Sequence, residues 1–306
     1  MPTLKQLAKR EERFVSGHRL CAGCGAGVIA RMVMLAIEKP VIVGNATGCL
    51  EVASTIFPYS AWNVPWIHSA FENVAATVSG VEAAYQSLKK QGRIDKDIVF
   101  VAFGGDGGTY DIGLQSLSGA AERGHKMLYV CYNNEAYMNT GIQRSSATPR
   151  GAHTTTSPLG KVIPGKVQFP KDLPSIMVAH NIPYVATAIP GRWNDLVSKV
   201  ERAVSFNGFT FIDVLSPCRL GWPHEPELTM EISRLAADTC IWPLYEVVEG
   251  KYKLTYKPKE KKPVVEWFKL QRRFAHLLKP ENQQLLEAIQ KEVDRRWEVL
   301  LKKCEG

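Results

Sequence analysis

Along residues 28–39, VIARMVMLAIEK, apolar side chains recur at helical spacing, and the next stretch, PVIVGNATG (40–48), is a short apolar run that stops at a glycine turn. The pattern predicts a helix followed by a buried strand. A second pair follows: a small-residue-rich helix in ENVAATVSGVEAAYQSLKKQG (72–92), ended by Gly92, and a β-branched, aromatic strand in DIVFVAFGGDGG (97–108). The alternation continues with a helix over 111–124 and a strand in KMLYVCYNNEAY (126–137). After an interval come a helix in DLPSIMVAHNI, a strand in PYVATAI, a helix in RWNDLVSKVERAVSF and a strand in GFTFIDVLSPC that ends at Cys218. Strand, crossover helix, strand is the pattern of a parallel sheet covered on both faces, so the expected fold class is α/β, a doubly wound parallel sheet.

Two stretches break the alternation. Residues 138–171 are rich in Gly, Ser, Thr and Pro with little periodicity, and an irregular stretch of that length inside a compact domain is usually functional or covered by a partner. Beyond about residue 225, YEVVEGKYKLTY (245–256) predicts a hairpin turning at Glu249-Gly250, and charged helices follow through LLEAIQKEVDRRWEVLLKK. The expected organisation is a cofactor-binding domain over 1–225 and a mixed hairpin and helical extension over 226–306, packed on the core or on partner subunits.

Composition narrows the classes. At 306 residues and 45% hydrophobic, the chain can bury a large core. Its apolar runs fall far short of the roughly 20 residues that span a bilayer, and the opening MPTLKQLAKREERF has no apolar signal core. The formal charge is +8, with basic residues gathered in KPKEKKP (257–263) and no nucleic-acid motif around them. The expectation is a cytoplasmic protein that binds neither membrane nor nucleic acid. Seven cysteines, an odd number, argue for reduced thiols over a disulfide framework.

The strongest chemical signal is FGGDGGTYDIG, placed between a strand and a helix. Ligands in open parallel sheets bind beyond the carboxyl ends of the strands. Gly104, Gly105, Gly107 and Gly108 let the backbone approach a phosphate, and a carboxylate beside a diphosphate needs a divalent cation between them, so Asp106 reads as a Mg²⁺ ligand. One helix and one strand further on, Asn133 and Asn134 reach the neighbouring strand end, able to complete a metal shell. Neither GxGxxG nor GxxxxGK[ST] is present, which disfavours nicotinamide and P-loop readings. CAGCGAG (21–27) and Cys49 in ATGCLE leave zinc, a redox dithiol, an iron–sulfur cluster and incidental thiols open.

GDGG followed by YNNEAYMNTG resembles the diphosphate-binding signature of thiamine-diphosphate enzymes. Together with GHRLCAGCGAG, GNATGCLE and IHSAFENVAATVSG, it resembles the β subunit of 2-oxoacid:ferredoxin oxidoreductases, most of all the pyruvate enzymes, over about residues 15–225. WPLYEVVEG and VDRRWE extend the likeness into the tail, while Asn133 stands where an acidic residue is more usual. The resemblance implies oxidative decarboxylation of a 2-oxoacid, pyruvate first and oxalate or a branched or longer acid as alternatives, with thiamine diphosphate, Mg²⁺ and one [4Fe–4S] cluster. It implies Cys21, Cys24, Cys49 and Cys218 as cluster ligands. Asp106, Asn134 and the Ala136 carbonyl would hold Mg²⁺, and Gly105, Gly107 and Gly108 would lie against the diphosphate. Thr47, Gly48, Cys49 and Tyr137 would line the cofactor, and Asn139 would act near the reacting carbons. Cys131, Cys240 and Cys304 read as structural or incidental, and His18 and His68 are given no catalytic role.

The implied partners are a pyrimidine-binding α subunit carrying the activating glutamate, a ferredoxin-like cluster subunit, ferredoxin itself and, as acyl acceptor in the relatives, coenzyme A. The chain alone is then expected to be inactive. The competing class is a non-catalytic electron-transfer subunit, in which the cysteines carry a cluster and GDGG is only a turn.

Overall fold

The structure, a computed structural model, describes residues 2–305. Eight strands form one sheet: β1 (Val41–Ala46), β2 (Trp66–Ser69), β3 (Val99–Gly105), β4 (Leu128–Asn133), β5 (Tyr184–Ala188), β6 (Thr210–Leu215), β7 (Tyr245–Val248) and β8 (Lys251–Leu254). Their spatial order is β2-β1-β3-β4-β6-β5-β7-β8. The first six are parallel, and the hairpin β7–β8 adds to the β5 edge in antiparallel fashion. This is the doubly wound α/β fold the alternation predicts. At the hairpin tip Glu249 (φ 49°) and Gly250 (φ 81°) both take left-handed backbone, as a two-residue turn requires.

Each strand of the parallel core is apolar on both faces because helices cover both. On one side the helices Gly25–Ala36 and Trp193–Ala203 bury Ile29, Val33, Leu196 and Val200 against Val43, Val101, Val130 and Ile212. On the other, Val74–Lys90 and Leu114–Glu122, joined by the long C-terminal helix Gln283–Glu305, bury Val78, Leu117, Trp297 and Leu300 against Phe100, Tyr129 and Phe211. A third cluster, with Trp222, Trp267, Phe268 and Phe274 at its centre, packs the residues after β6 against the extension. Among the described residues no helix is long and apolar enough to cross a membrane.

Two boundaries differ from the sequence pattern. The helix expected over 111–124 begins earlier, as a π-helical turn Gly107–Ile112 that leads into Leu114–Glu122; π turns cluster at functional sites. The last parallel strand stops at Leu215, so Cys218 lies in the loop beyond it. Helix Val74–Lys90 comes so close to β1 that a Cβ on Gly44 would stand 2.4 Å from Val78 Cγ2. Gly44→Ala is therefore expected to destabilise the chain by about 1–3 kcal/mol through overpacking, read as a lower urea midpoint with an unchanged slope.

Candidate functional site

The strand order reverses between β1 and β3, since β2 lies outside β1 while β4, β6 and β5 follow on the other side of β3. A crevice at the carboxyl ends of such neighbours is where open sheets take ligands. Thr47 and Gly48 follow β1, Asp106 follows β3, Asn134 follows β4, and Cys218 lies beyond β6. Four adjacent strand ends thus carry the residues that the sequence singled out. The opening CxxC segment is drawn to the same edge, with the Gly25 N–H donating to the Pro217 carbonyl at 3.1 Å.

Asp106 is fully buried. The Asn134 backbone N–H donates to its Oδ1 at 3.2 Å and the Ser145 hydroxyl donates to its Oδ2. Burial nonetheless pushes the carboxyl up to about 8, because a charge with too few compensating partners costs more than a proton. The side-chain amide of Asn134 lies 2.7 Å from the Ala136 carbonyl oxygen and 3.0 Å from Asp106 Oδ1, and its nitrogen, turned to them, donates to both. A cation held between those two acceptors would turn the amide over to offer its oxygen instead. Asp106, Asn134 and the Ala136 carbonyl would then present three hard oxygens to it, the kind of ligand Mg²⁺ takes. The donor set fits the metal. Asn133, the other candidate, turns elsewhere: its Nδ2 donates to the Tyr110 hydroxyl at 3.1 Å, and its Oδ1 accepts the Glu135 N–H.

Beside these oxygens Thr47, Gly48, Gly105, Gly107, Tyr137 and Asn139 line one cleft. Tyr137 stacks on Phe71 with ring centroids 5.6 Å apart, and a Cβ on Gly107 would stand 2.6 Å from the Tyr137 ring. The backbone here is bare where a diphosphate would lie. The donor set and this cradle both suit a thiamine diphosphate with its metal.

Cys49 opens the short helix Cys49–Ser54 directly after Gly48, and its thiol lies 3.8 Å from Asn139 Oδ1. Burial pushes the Cys49 thiol up to about 12, and the nearby Cys218, Cys24 and Cys21 push in the same direction. Burial likewise raises Cys24 to about 11, with Cys218 and Cys21 adding to it. The four cysteines therefore share one neighbourhood, and at Cys24, Cys49 and Cys218 burial disfavours a lone thiolate. Among the described residues no three His, Cys, Asp or Glu side chains converge on the position of a single ion; a four-iron cube takes one thiolate at each of four corners. Cys131 is fully buried in β4, Cys240 is buried and Cys304 is half-buried in the C-terminal helix. His18 stacks on Phe14, whereas His68 Nε2 is 2.7 Å from the Thr47 hydroxyl.

Sequence reasoning missed the clamp behind the candidate metal ligands. Glu135, between Asn134 and Ala136, has φ 64°, a conformation that costs a non-glycine residue about 1–3 kcal/mol unless its surroundings enforce it. Its carbonyl accepts the Thr148 hydroxyl, and its carboxylate takes the guanidinium of Arg273 from the extension. Arg273 lies 3.9 Å over the ring of Trp222, whose indole N–H donates to the Asn134 carbonyl at 2.8 Å. Both ends of the Glu135–Arg273 pair are buried. Arg273→Met alone strands a buried carboxylate and is expected to cost about 3–5 kcal/mol, whereas Glu135→Gln with Arg273→Met costs less; urea titrations of the two variants check this.

The family model described as "Thiamine pyrophosphate enzyme, C-terminal TPP binding domain" matches residues 46–214. The chain is 54% identical to a pyruvate synthase subunit PorB of Thermotoga maritima, covering 97% of this chain and 95% of the relative. It is 43% identical to a ketoisovalerate oxidoreductase subunit VorB of Pyrococcus abyssi, covering 96% and 94%. Among solved structures, a 2-oxoglutarate:ferredoxin oxidoreductase from Magnetococcus marinus is similar at a TM-score of 0.57 and 20% identity, over 74% of this chain and 81% of that one, a likeness of fold.

Proposed function

The chain belongs to the thiamine-diphosphate enzymes and, within them, to the family of the pyruvate synthase PorB subunits, and from that premise we propose that it is the cofactor-binding subunit of a complex that oxidatively decarboxylates pyruvate. The observation that carries the reading is the convergence of Asp106, the Asn134 amide and the Ala136 carbonyl beside a glycine-lined cleft. Asp106, Asn134 and the Ala136 carbonyl would hold Mg²⁺, with Gly105, Gly107 and Gly108 against the diphosphate. Thiamine diphosphate supplies the electron sink that lets a 2-oxoacid lose CO₂.

The rest is done by this chain's own groups. Thr47, Gly48 and Tyr137 wall the cofactor, and Tyr137, held by Phe71, keeps water from one side of it. Asn139 presents an amide to the reacting carbons and, through its 3.8 Å contact with Cys49, stands between them and the cysteines. Cys21, Cys24, Cys49 and Cys218 would bind a [4Fe–4S] cluster, which gives electrons an exit beside the cofactor. The described residues form a single doubly wound unit; a partner subunit would supply the pyrimidine-binding half and its activating glutamate. A ferredoxin-like subunit would receive the electrons on their way to ferredoxin, and coenzyme A would take the acyl group. The extent of the thiamine domain match, 46–214, favours this over GDGG as a bare turn in an electron carrier.

The likeness to a VorB subunit makes a branched 2-oxoacid the second reading. The test is anaerobic purification with the partner subunits, addition of thiamine diphosphate and Mg²⁺, and a screen of pyruvate, 2-oxoisovalerate, 2-oxoglutarate and oxalate against a low-potential acceptor, with and without coenzyme A. Pyruvate is expected to have the highest kcat/KM, with no turnover by the chain alone. A complex that holds thiamine diphosphate yet turns over none of the four acids overturns the reading.

A further inference from the structure

Between the C-terminal helix Gln283–Glu305 and the sheet lies a cavity of about 470 Å³ that none of the chemistry above uses. Small-molecule sites fall in the range of about 300–1,000 Å³. Its floor is polar and its walls are aromatic. On the floor Asp213 projects from β6, with no exposed surface. The Tyr110 hydroxyl donates to its Oδ2, and Asn133 Nδ2 donates in turn to that hydroxyl at 3.1 Å. Asp213 Oδ1 has no hydrogen-bond partner. An unpaired buried acceptor costs about 1–3 kcal/mol, and Asp213 is one of the residues that line this cavity.

The walls and the mouth narrow the ligand. Phe169, Tyr245 and Tyr252 line the cavity, with Tyr245 and Tyr252 stacked at 5.9 Å. Planar aromatic walls favour a planar ring. Towards solvent, Arg150 and Arg296 lie over Phe169 at 4.9 and 5.5 Å, and Lys303 lies over Tyr252 at 4.9 Å. Arg296 is already paired with Glu292, but the buried Nε of Arg150 has no partner. Arg150 and Lys303 are therefore the cations open to an anionic group.

From this geometry we infer a second binding site, separate from the cofactor cleft, for a small planar molecule that donates an N–H to Asp213 and leaves an anionic group between Arg150 and Lys303. A purine mononucleotide and an indole carboxylate share that chemistry. Glu135 and Asn133 line the cavity and flank Asn134, so the occupant sits directly behind the candidate metal loop. The inference does not depend on the 2-oxoacid reading.

The test is calorimetry of the purified complex against AMP, GMP and indole-3-acetate, each to a few millimolar. At least one is expected to bind with a Kd of about 10–100 μM, a free energy of about 5.5–7 kcal/mol. Binding by a nucleotide alone or by the indole acid alone names the source of the ring. Asp213→Asn is expected to weaken it at least tenfold, since it replaces one of the two acceptor oxygens with an N–H donor. Val299→Trp, which places an indole at a lining position that is 41% exposed and leaves the floor intact, is expected to abolish it. Thiamine diphosphate content stays at the wild-type level in both. No binding by any of the three probes, or binding that survives Val299→Trp, overturns the proposal; if Asp213→Asn does not fold, Val299→Trp decides.

Discussion

Asp106→Asn is expected to lower Mg²⁺-dependent retention of thiamine diphosphate by about three orders of magnitude, the several kcal/mol that a metal's hold on phosphate oxygens supplies. The amide keeps the size of the carboxylate and offers its oxygen to the Asn134 N–H, while its nitrogen takes the place of Oδ2 and can donate to the Ser145 hydroxyl. It removes the one ionisable group among the three candidate ligands, because Asn134 and the Ala136 carbonyl are neutral. The fold should survive, since burying an amide costs less than burying a carboxylate whose own proton is held up to about 8. The same raised value makes a second signature available. Near pH 7 the metal-free carboxyl carries its proton, so Mg²⁺ uptake must release about one, and calorimetry in buffers of different ionisation heat detects it. Wild-type cofactor affinity in Asp106→Asn would move the metal away from this loop.

Cys218→Ser is expected to remove the iron–sulfur absorbance and reduce transfer to a low-potential acceptor to background, with thiamine diphosphate still bound. Its sulfur already accepts the Gly221 N–H at 3.4 Å, a contact of the kind that tunes a cluster's potential. Burial raises this thiol too. Such a site favours a ligand that takes the thiolate over a free anion. Cys131, Cys240 and Cys304 serve as controls, and serine at any of them should leave iron and sulfide at wild-type levels. Zinc in anaerobically purified wild-type protein, or a Cys218→Ser variant with unchanged iron, would sink the cluster assignment.

Much of this arrangement is readable in the chain, for identifiable reasons. A strand buried on both faces appears as a mostly apolar run, so β1, β3, β4, β5 and β6 are visible in VIV, VFVAF, LYVCY, YVATA and TFIDVL, the last two broken only by Thr187, Thr210 and Asp213. The βα alternation then forces their carboxyl ends to one edge, which is why Asp106 and Asn134 can be paired before any coordinates exist. What stays hidden is short or distant. β2 is four residues at the sheet edge, with a half-exposed WIHS pattern too brief to show a period. The π turn at Gly107–Ile112 has the same apolar spacing as the start of an α-helix. Ser145, which braces Asp106, comes from the irregular 138–171 stretch, where composition signals importance but not position. Arg273 lies in a charged tail among many similar residues, and nothing local marks the one that pairs with Glu135.

That pair spans 138 residues of chain. During synthesis, strands β1 to β6 can emerge and pair while Arg273 is still being made, since chains fold progressively from the N-terminus. Until then Glu135 lacks its counter-charge, and its left-handed backbone is held only by the Asn133 side chain and the Thr148 hydroxyl. The candidate metal loop therefore receives its last brace only once the chain as far as Arg273 is in place.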